Sequence, residues 1–260
     1  MAMRPCLGRS INHHRWCSSC TSDVQNLACP FYLPLRTYRV RGFAMAESSV
    51  GPAFILGNGP DLPIESLGLL DGFLTIGTNR VLQIYQPTCL LWLDGSVWPD
   101  IANDAERTEA VLVCGDDVGI GTGSIRLRFV PETYLPSPDP WTLHGCHNTA
   151  VTAAFWARAL GCSPVYLLGC LGAHRGDLTN HPRLKYGNYY GLNPNHCAAT
   201  LRHFKRSFAA LLAAMPDCAR ISHAEELRSV LAYCLTRKQP DLRRWLRDTL
   251  EHCDGRGQTH

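Results

Sequence analysis

No stretch of this 260-residue chain approaches the roughly 20 consecutive apolar residues that a membrane-spanning helix needs; its longest apolar runs are broken by Gly, Pro or charge. Stable membrane insertion is therefore not expected. Charge is scarce too: 18% of residues are charged and the formal net charge is +3, too small to make nucleic acid the expected partner. Two phosphate-binding signatures are missing. The glycine-rich turn at Gly57 and Gly59 is followed by Pro60 and Asp61 with no third glycine at the G-x-G-x-x-G offset, and it has no P-loop lysine, which disfavours a standard nicotinamide or Walker-type site. There is no internal repeat. No second properly spaced pair accompanies Cys17-Ser-Ser-Cys20, so His13, His14 and Cys29 nearby do not complete a zinc signature, and no metal ligands are assigned.

Acidic residues are nearly absent from residues 1–44, which hold Arg4, Arg9, Arg15, Arg36, Arg39 and Arg41 against Asp23 alone. No apolar segment of signal-peptide type follows the first arginines. This stretch is expected to be a disordered basic arm or a non-native leader outside the fold, with Met45 as a start close to the first strand. The thirteen cysteines are odd in number and scattered. Cys89, Cys114, Cys162 and Cys170 lie in or beside apolar runs, where a free thiol behaves as a small hydrophobe. A reduced, cytoplasmic protein is the expectation.

What is present begins with AFILGNGPDLP, residues 53 to 63. A run of apolar residues ends abruptly in Gly57-Asn58-Gly59-Pro60, as strands do that enter a ligand-binding loop at the carboxyl edge of a parallel sheet. The glycines are expected to let the backbone turn and approach a ligand without Cβ clashes. FLTIG (73–77), TCLLWLD (88–94) and AVLVCG (110–115) repeat the strand-like pattern. Asn79 to Tyr85 and Ser96 to Arg107 are long enough for helical crossovers. SIRLRFV (124–130) alternates as an edge or half-exposed strand does, and the proline-rich PETYLPSPDP that follows reads as a loop. A helix from Asn148 to Leu160 feeds the buried strand PVYLLG (164–169), and residues 171–193 read as a functional loop or lid. A helix over 195–215, a short strand at 218–222 and two helices near 223–235 and 240–252 complete the chain. The fold class expected is α/β, a Rossmann-like, mostly parallel sheet flanked by helices. The Rossmann-like domain is expected to span 45–222, with 223–260 as a C-terminal helical extension.

Asn58, Asn79, Asp94 and the loop from Leu171 each follow a strand and so meet at one sheet edge. The amino end of the Asn148 helix, with His144, His147 and Thr149 around it, suits a phosphate. The order FILGNGPDLPIESL, TIGTNR, a strand ending in Asp and HNTAVTAAFWARALGCSPVYLLGC resembles the bacterial sialyltransferase-like glycosyltransferases. It also resembles the related hydroxymethylpterin diphosphokinase-like family, which includes flagellin-glycosylating motility accessory factors. The likeness covers about residues 53 to 215.

The sialyltransferase-like resemblance implies a CMP-sugar donor and an acceptor glycan or small alcohol. Its nucleotide contacts map onto the loop Gly57, Asn58, Gly59 and Pro60 and onto Asn79, with Asp94 at the same edge. It implies phosphate contacts near Gly145, His147, Asn148 and Thr149, lid tyrosines among Tyr186, Tyr189 and Tyr190, and a histidine base. His174 and His181 are preferred for that base over His196. The diphosphokinase resemblance implies instead ATP and Mg²⁺, with Asp94 and the Asp116-Asp117 pair as carboxylates. Many relatives carry an acid two residues beyond the YLLG glycine; this chain has Leu171 there, with Asp177 a poor replacement. A non-catalytic, phage-type nucleotide-binding accessory protein is therefore a third expectation.

Overall fold

The computed structural model describes residues 50–118, 123–170, 181–184, 194–234 and 241–251. The basic segment 1–44, with its Cys17 and Cys20, lies outside them. The described strands are β1 (Gly51–Leu56), β2 (Leu74–Thr78), β3 (Cys89–Trp92), β4 (Val111–Gly115), β5 (Ile125–Val130), β6 (Thr142–His144), β7 (Cys162–Leu168) and β8 (Ala219–Ile221). The helices are α1 (Trp98–Ala105), α2 (Thr149–Ala159), α3 (Pro194–Ala214), α4 (Ala224–Cys234) and α5 (Leu242–Glu251), with 3-10 segments at Ile64–Leu70, Asn79–Gln83 and Gly95–Val97. The strands form one sheet in the order β6-β5-β4-β3-β2-β1-β7-β8, every neighbouring pair parallel. This is an α/β, Rossmann-like fold.

The apolar runs become strands because both of their faces are covered. Ala53 and Ile55 of β1 face one core with Ile76, Leu91 and Val113, while Phe54 and Leu56 face another with Leu67, Leu70 and Val81. Helix α2 packs on the first face. Residues 150–157 are all buried there, and Ala150, Ala153, Ala154 and Ala157 let the helix axis sit close to the sheet. The C-terminal helices are flanking layers of the same sheet: Leu242, Leu246 and Leu250 of α5 join the first core, and Leu227, Leu231 and Cys234 of α4 join the second.

Three elements differ from expectation. The strand at 125–130 is half-exposed as its alternation suits, but Thr142–His144, which the sequence does not reveal as a strand, pairs outside it; three residues are too few to carry a period. The crossover from β2 to β3 is only a 3-10 turn at Asn79–Gln83. The crossover from β3 to β4 opens with a 3-10 turn at Gly95–Val97 and is α-helical from Trp98, with Pro99 in its first turn, where a missing N–H costs nothing.

Candidate functional site

Strand order reverses between β1 and β7, the position at which doubly wound sheets open a crevice for ligands. Here the loops leaving those strands are stitched together. Gly57 N donates to Leu168 O at 2.8 Å and Gly59 N to Gly169 O at 2.7 Å, which extends the β1–β7 ladder past the strand ends. A Cβ on Gly57 would lie 2.4 Å from Gly169 O, and one on Gly59 would lie 2.6 Å from the same oxygen. The two glycines thus serve loop-to-loop packing against Gly169. Pro60, next in the loop, is exposed.

Asn58 ties this loop to β2. Its Nδ2 donates to Thr78 O at 3.0 Å and contacts Thr78 Oγ1 at 3.3 Å, while its Oδ1 accepts from Arg80 N at 3.2 Å. Thr78 Oγ1 in turn donates to Leu56 O at 3.0 Å. The carboxamide is engaged at both ends by the protein. Asn79, the next residue, is different: its backbone sits at φ 52, in the left-handed region, and its Oδ1 is buried without a hydrogen-bond partner. An uncommon backbone conformation and an unsatisfied buried acceptor on one residue are the kind of cost that persists at functional sites.

His181 closes the rim from the other side. Its N–H donates to Asn58 O at 2.7 Å, and its Nδ1 accepts from Arg183 N at 3.2 Å. Acceptance at Nδ1 puts the proton of the neutral ring on Nε2, and burial together with the Arg183 charge holds the imidazole below its ordinary pKa against the pull of Asp61. As placed, His181 offers an N–H donor; to act as a base at Nε2 it would first have to give up its bond to Arg183 N. The ring lines a cleft of about 300 Å³ with Pro63, Glu65, Ser66 and Arg183, and Arg183 is ion-paired with Glu65. His174, Asp177, Tyr186, Tyr189, Tyr190 and the His196 side chain lie outside the described residues.

The carboxylates at the edges of β3 and β4 are engaged locally. Asp94 is exposed and caps a 3-10 turn through Ser96 N at 2.8 Å. Asp116 Oδ1 accepts from Phe129 N at 2.9 Å, and partial burial, with the Asp116 charge beside it, raises the Asp117 carboxyl above its usual range. Among the described residues no group of three or more His, Cys, Asp or Glu is arranged to hold a metal ion.

A second group gathers after β6. Gly145 is a packing position, since the Phe129 ring occupies the space a Cβ would need. Asn148 caps α2, its Oδ1 accepting from Ala150 N at 3.0 Å and Val151 N at 3.2 Å, and Thr149 is the helix's first residue. His147 is exposed at φ 60 and its ring meets that of His203 of α3 at a tilt of 37°, centroids 4.4 Å apart. No family model, curated protein or solved structure matches this chain. The fold and the two clusters therefore carry the functional argument.

The edge of β7, β1 and β2 brings together Gly57, Asn58, Gly59, Asn79 and His181. The group from Gly145 to Thr149 follows β6, which stands beyond β3, β4 and β5 in hydrogen-bonding order. Sequence reasoning missed Tyr134, His203, Arg206 and the Arg80–Asp100 pair, because each acts through a partner on another element.

Proposed function

We propose that this chain is a nucleotide-dependent transferase working at the carboxyl edge of β7, β1 and β2, with a CMP-sugar as donor. The observation that carries the proposal is Asn79. Its carboxamide oxygen, shielded from solvent and without a hydrogen-bond partner at φ 52, is an acceptor that the exocyclic amine of a base or a ribose hydroxyl would satisfy on displacing the atoms that cover it, beside the point where the strand order reverses. Asn58 then holds the frame and Asn79 the ligand. In the transfer, the acceptor hydroxyl oxygen bonds to the anomeric carbon, the bond from that carbon to the donor phosphate breaks with its electron pair leaving on CMP, and a base takes the hydroxyl proton. His181, presenting Nε2–H, suits donation to the departing phosphate, which assigns the base to His174 in this scheme.

Thermal-shift measurements with CMP, CDP, ATP and GTP, each with and without Mg²⁺, test this. CMP at 100 times its Kd should stabilise by about 2.7 kcal/mol without metal, roughly 5–11 °C for a domain of this size. Asn79→Gly is the clean variant, because glycine accepts a positive φ without strain and removes the unsatisfied oxygen: stability without ligand should hold or rise, and the CMP shift should vanish. A shift seen only with ATP and Mg²⁺ would replace the proposal with pyrophosphate transfer to an alcohol. A protein that responds to no nucleotide would be the accessory type.

A further inference from the structure

The cluster after β6 joins three elements. The β5–β6 connection supplies Glu132 and Tyr134, the turn before α2 supplies His147, and α3 supplies Arg202, His203 and Arg206. The His147 ring lies 6.4 Å from that of Tyr134 as well as 4.4 Å from that of His203. Arg206 Cζ sits 4.2 Å from the centroid of the Tyr134 ring, a cation–π contact that places the guanidinium beside the ring pair. Helix α3 is pinned at this level by buried Ser207, whose hydroxyl donates to Cys146 O, so the ring pair is held from both sides. The charges acting on His203 are His147, Arg202 and Arg206, all cationic when protonated, against Glu132 alone.

We propose that Tyr134, His147, His203 and Arg206 form a binding site for an oxyanion of the phosphoryl class, seated on side chains and not on the end of α2. The helix end is already occupied, since Asn148 Oδ1 takes the N–H groups of Ala150 and Val151. Burial, with His147, Arg202 and Arg206 around it, holds the His203 imidazole below its ordinary pKa, and a dianion placed among these groups offers an opposite charge to the cations it meets. Charge-assisted hydrogen bonds from Arg206 and both rings then give the site its preference for phosphoryl oxygens over a single carboxylate. The site is independent of Asn79 and of the nucleotide proposal.

The test is an NMR titration of the His147 and His203 ring signals in the full chain, with millimolar inorganic phosphate compared with chloride and acetate at equal ionic strength. Phosphate should perturb both ring signals and raise the His203 pKa, and Arg206→Gln, a surface change that leaves circular dichroism and melting in chloride intact, should remove most of that response. Asn79→Gly should keep it. Equal histidine titrations in phosphate and chloride would overturn the proposal, as would an undiminished response in Arg206→Gln or an equal response to acetate. Loss of the response in Asn79→Gly would overturn the independence of the two sites.

Discussion

Gly57 and Gly68 show how differently the same residue type is used. A Cβ at Gly57 would meet Gly169 O at 2.4 Å and Cys170 Sγ at 2.7 Å, and the Gly169 carbonyl is held in place by the Gly59 N–H. Gly68, in the 3-10 segment, has nothing within 4 Å of its Cβ position. Gly57→Ala should therefore cost about 2–3 kcal/mol through forced backbone displacement, whereas Gly68→Ala should gain about 0.4–1 kcal/mol by restricting the unfolded chain. Urea denaturation of the two variants decides the point, and equal effects would refute the loop-packing role. Asn58 belongs to the same scale. Its amide satisfies Thr78 O and Arg80 N, so Asn58→Ala should lower stability by about 2 kcal/mol in the absence of any nucleotide. That loss makes it a poor probe of ligand contact and Asn79→Gly the better one.

The 3-10 turn after β2 is tied to α1 by a buried ion pair. Arg80 Nε and Nη2 both donate to Asp100 Oδ2, at 2.9 and 2.6 Å, with side-chain exposures of 6% and 12%. Gln83 Nε2 adds a bond to Asp100 O at 3.0 Å. This pairing positions the residue that follows Asn79 and so fixes the edge of the candidate site. Asp100→Ala should destabilise by about 3–5 kcal/mol, because it removes the carboxylate that faces a buried guanidinium, while the double change Arg80→Met with Asp100→Leu should recover most of that loss. Denaturation midpoints for the single and double variants measure it; a double variant as unstable as Asp100→Ala would show that the pair contributes more than mutual neutralisation.

At the scale of the whole molecule, stability should fall with acid before the carboxylates titrate. His181 and His203 both have pKa values depressed in the fold, by burial first, then by Arg183 for one and by His147 and its neighbouring arginines for the other. A depressed histidine means that the unfolded chain takes up a proton that the folded chain refuses, so stability is complete above the ordinary value near 6.5 and declines as pH drops through the lower folded values. Asp217, held down chiefly by its hydrogen bonds to Arg158, adds a further loss at more acid pH. Urea midpoints between pH 7.5 and 5.5 should slope downward, and His181→Gln with His203→Gln should flatten the slope in that window; an unchanged slope would remove both histidines from the account.

Seven of the eight described strands, α2 and the C-terminal helices were legible in sequence because burial on two faces demands apolar runs of strand length and amphipathic spacing marks the surface helices, whereas Thr142–His144 is too short to show a period. The 53–59 loop was legible as a strand end but not in its use, since a glycine needed for a neighbouring backbone and one needed for a ligand look alike. Residue order alone determined that Asn58, Asn79 and Asp94 follow parallel strands and therefore face the same edge. Only the tertiary structure decided that Asn58 is spent on Thr78 and Arg80 while Asn79 is left unsatisfied, and that His147 meets His203, 56 positions later in the numbering. Local periodicity reports what one segment buries, whereas a hydrogen bond or ring contact depends on which distant segment the folded chain brings alongside.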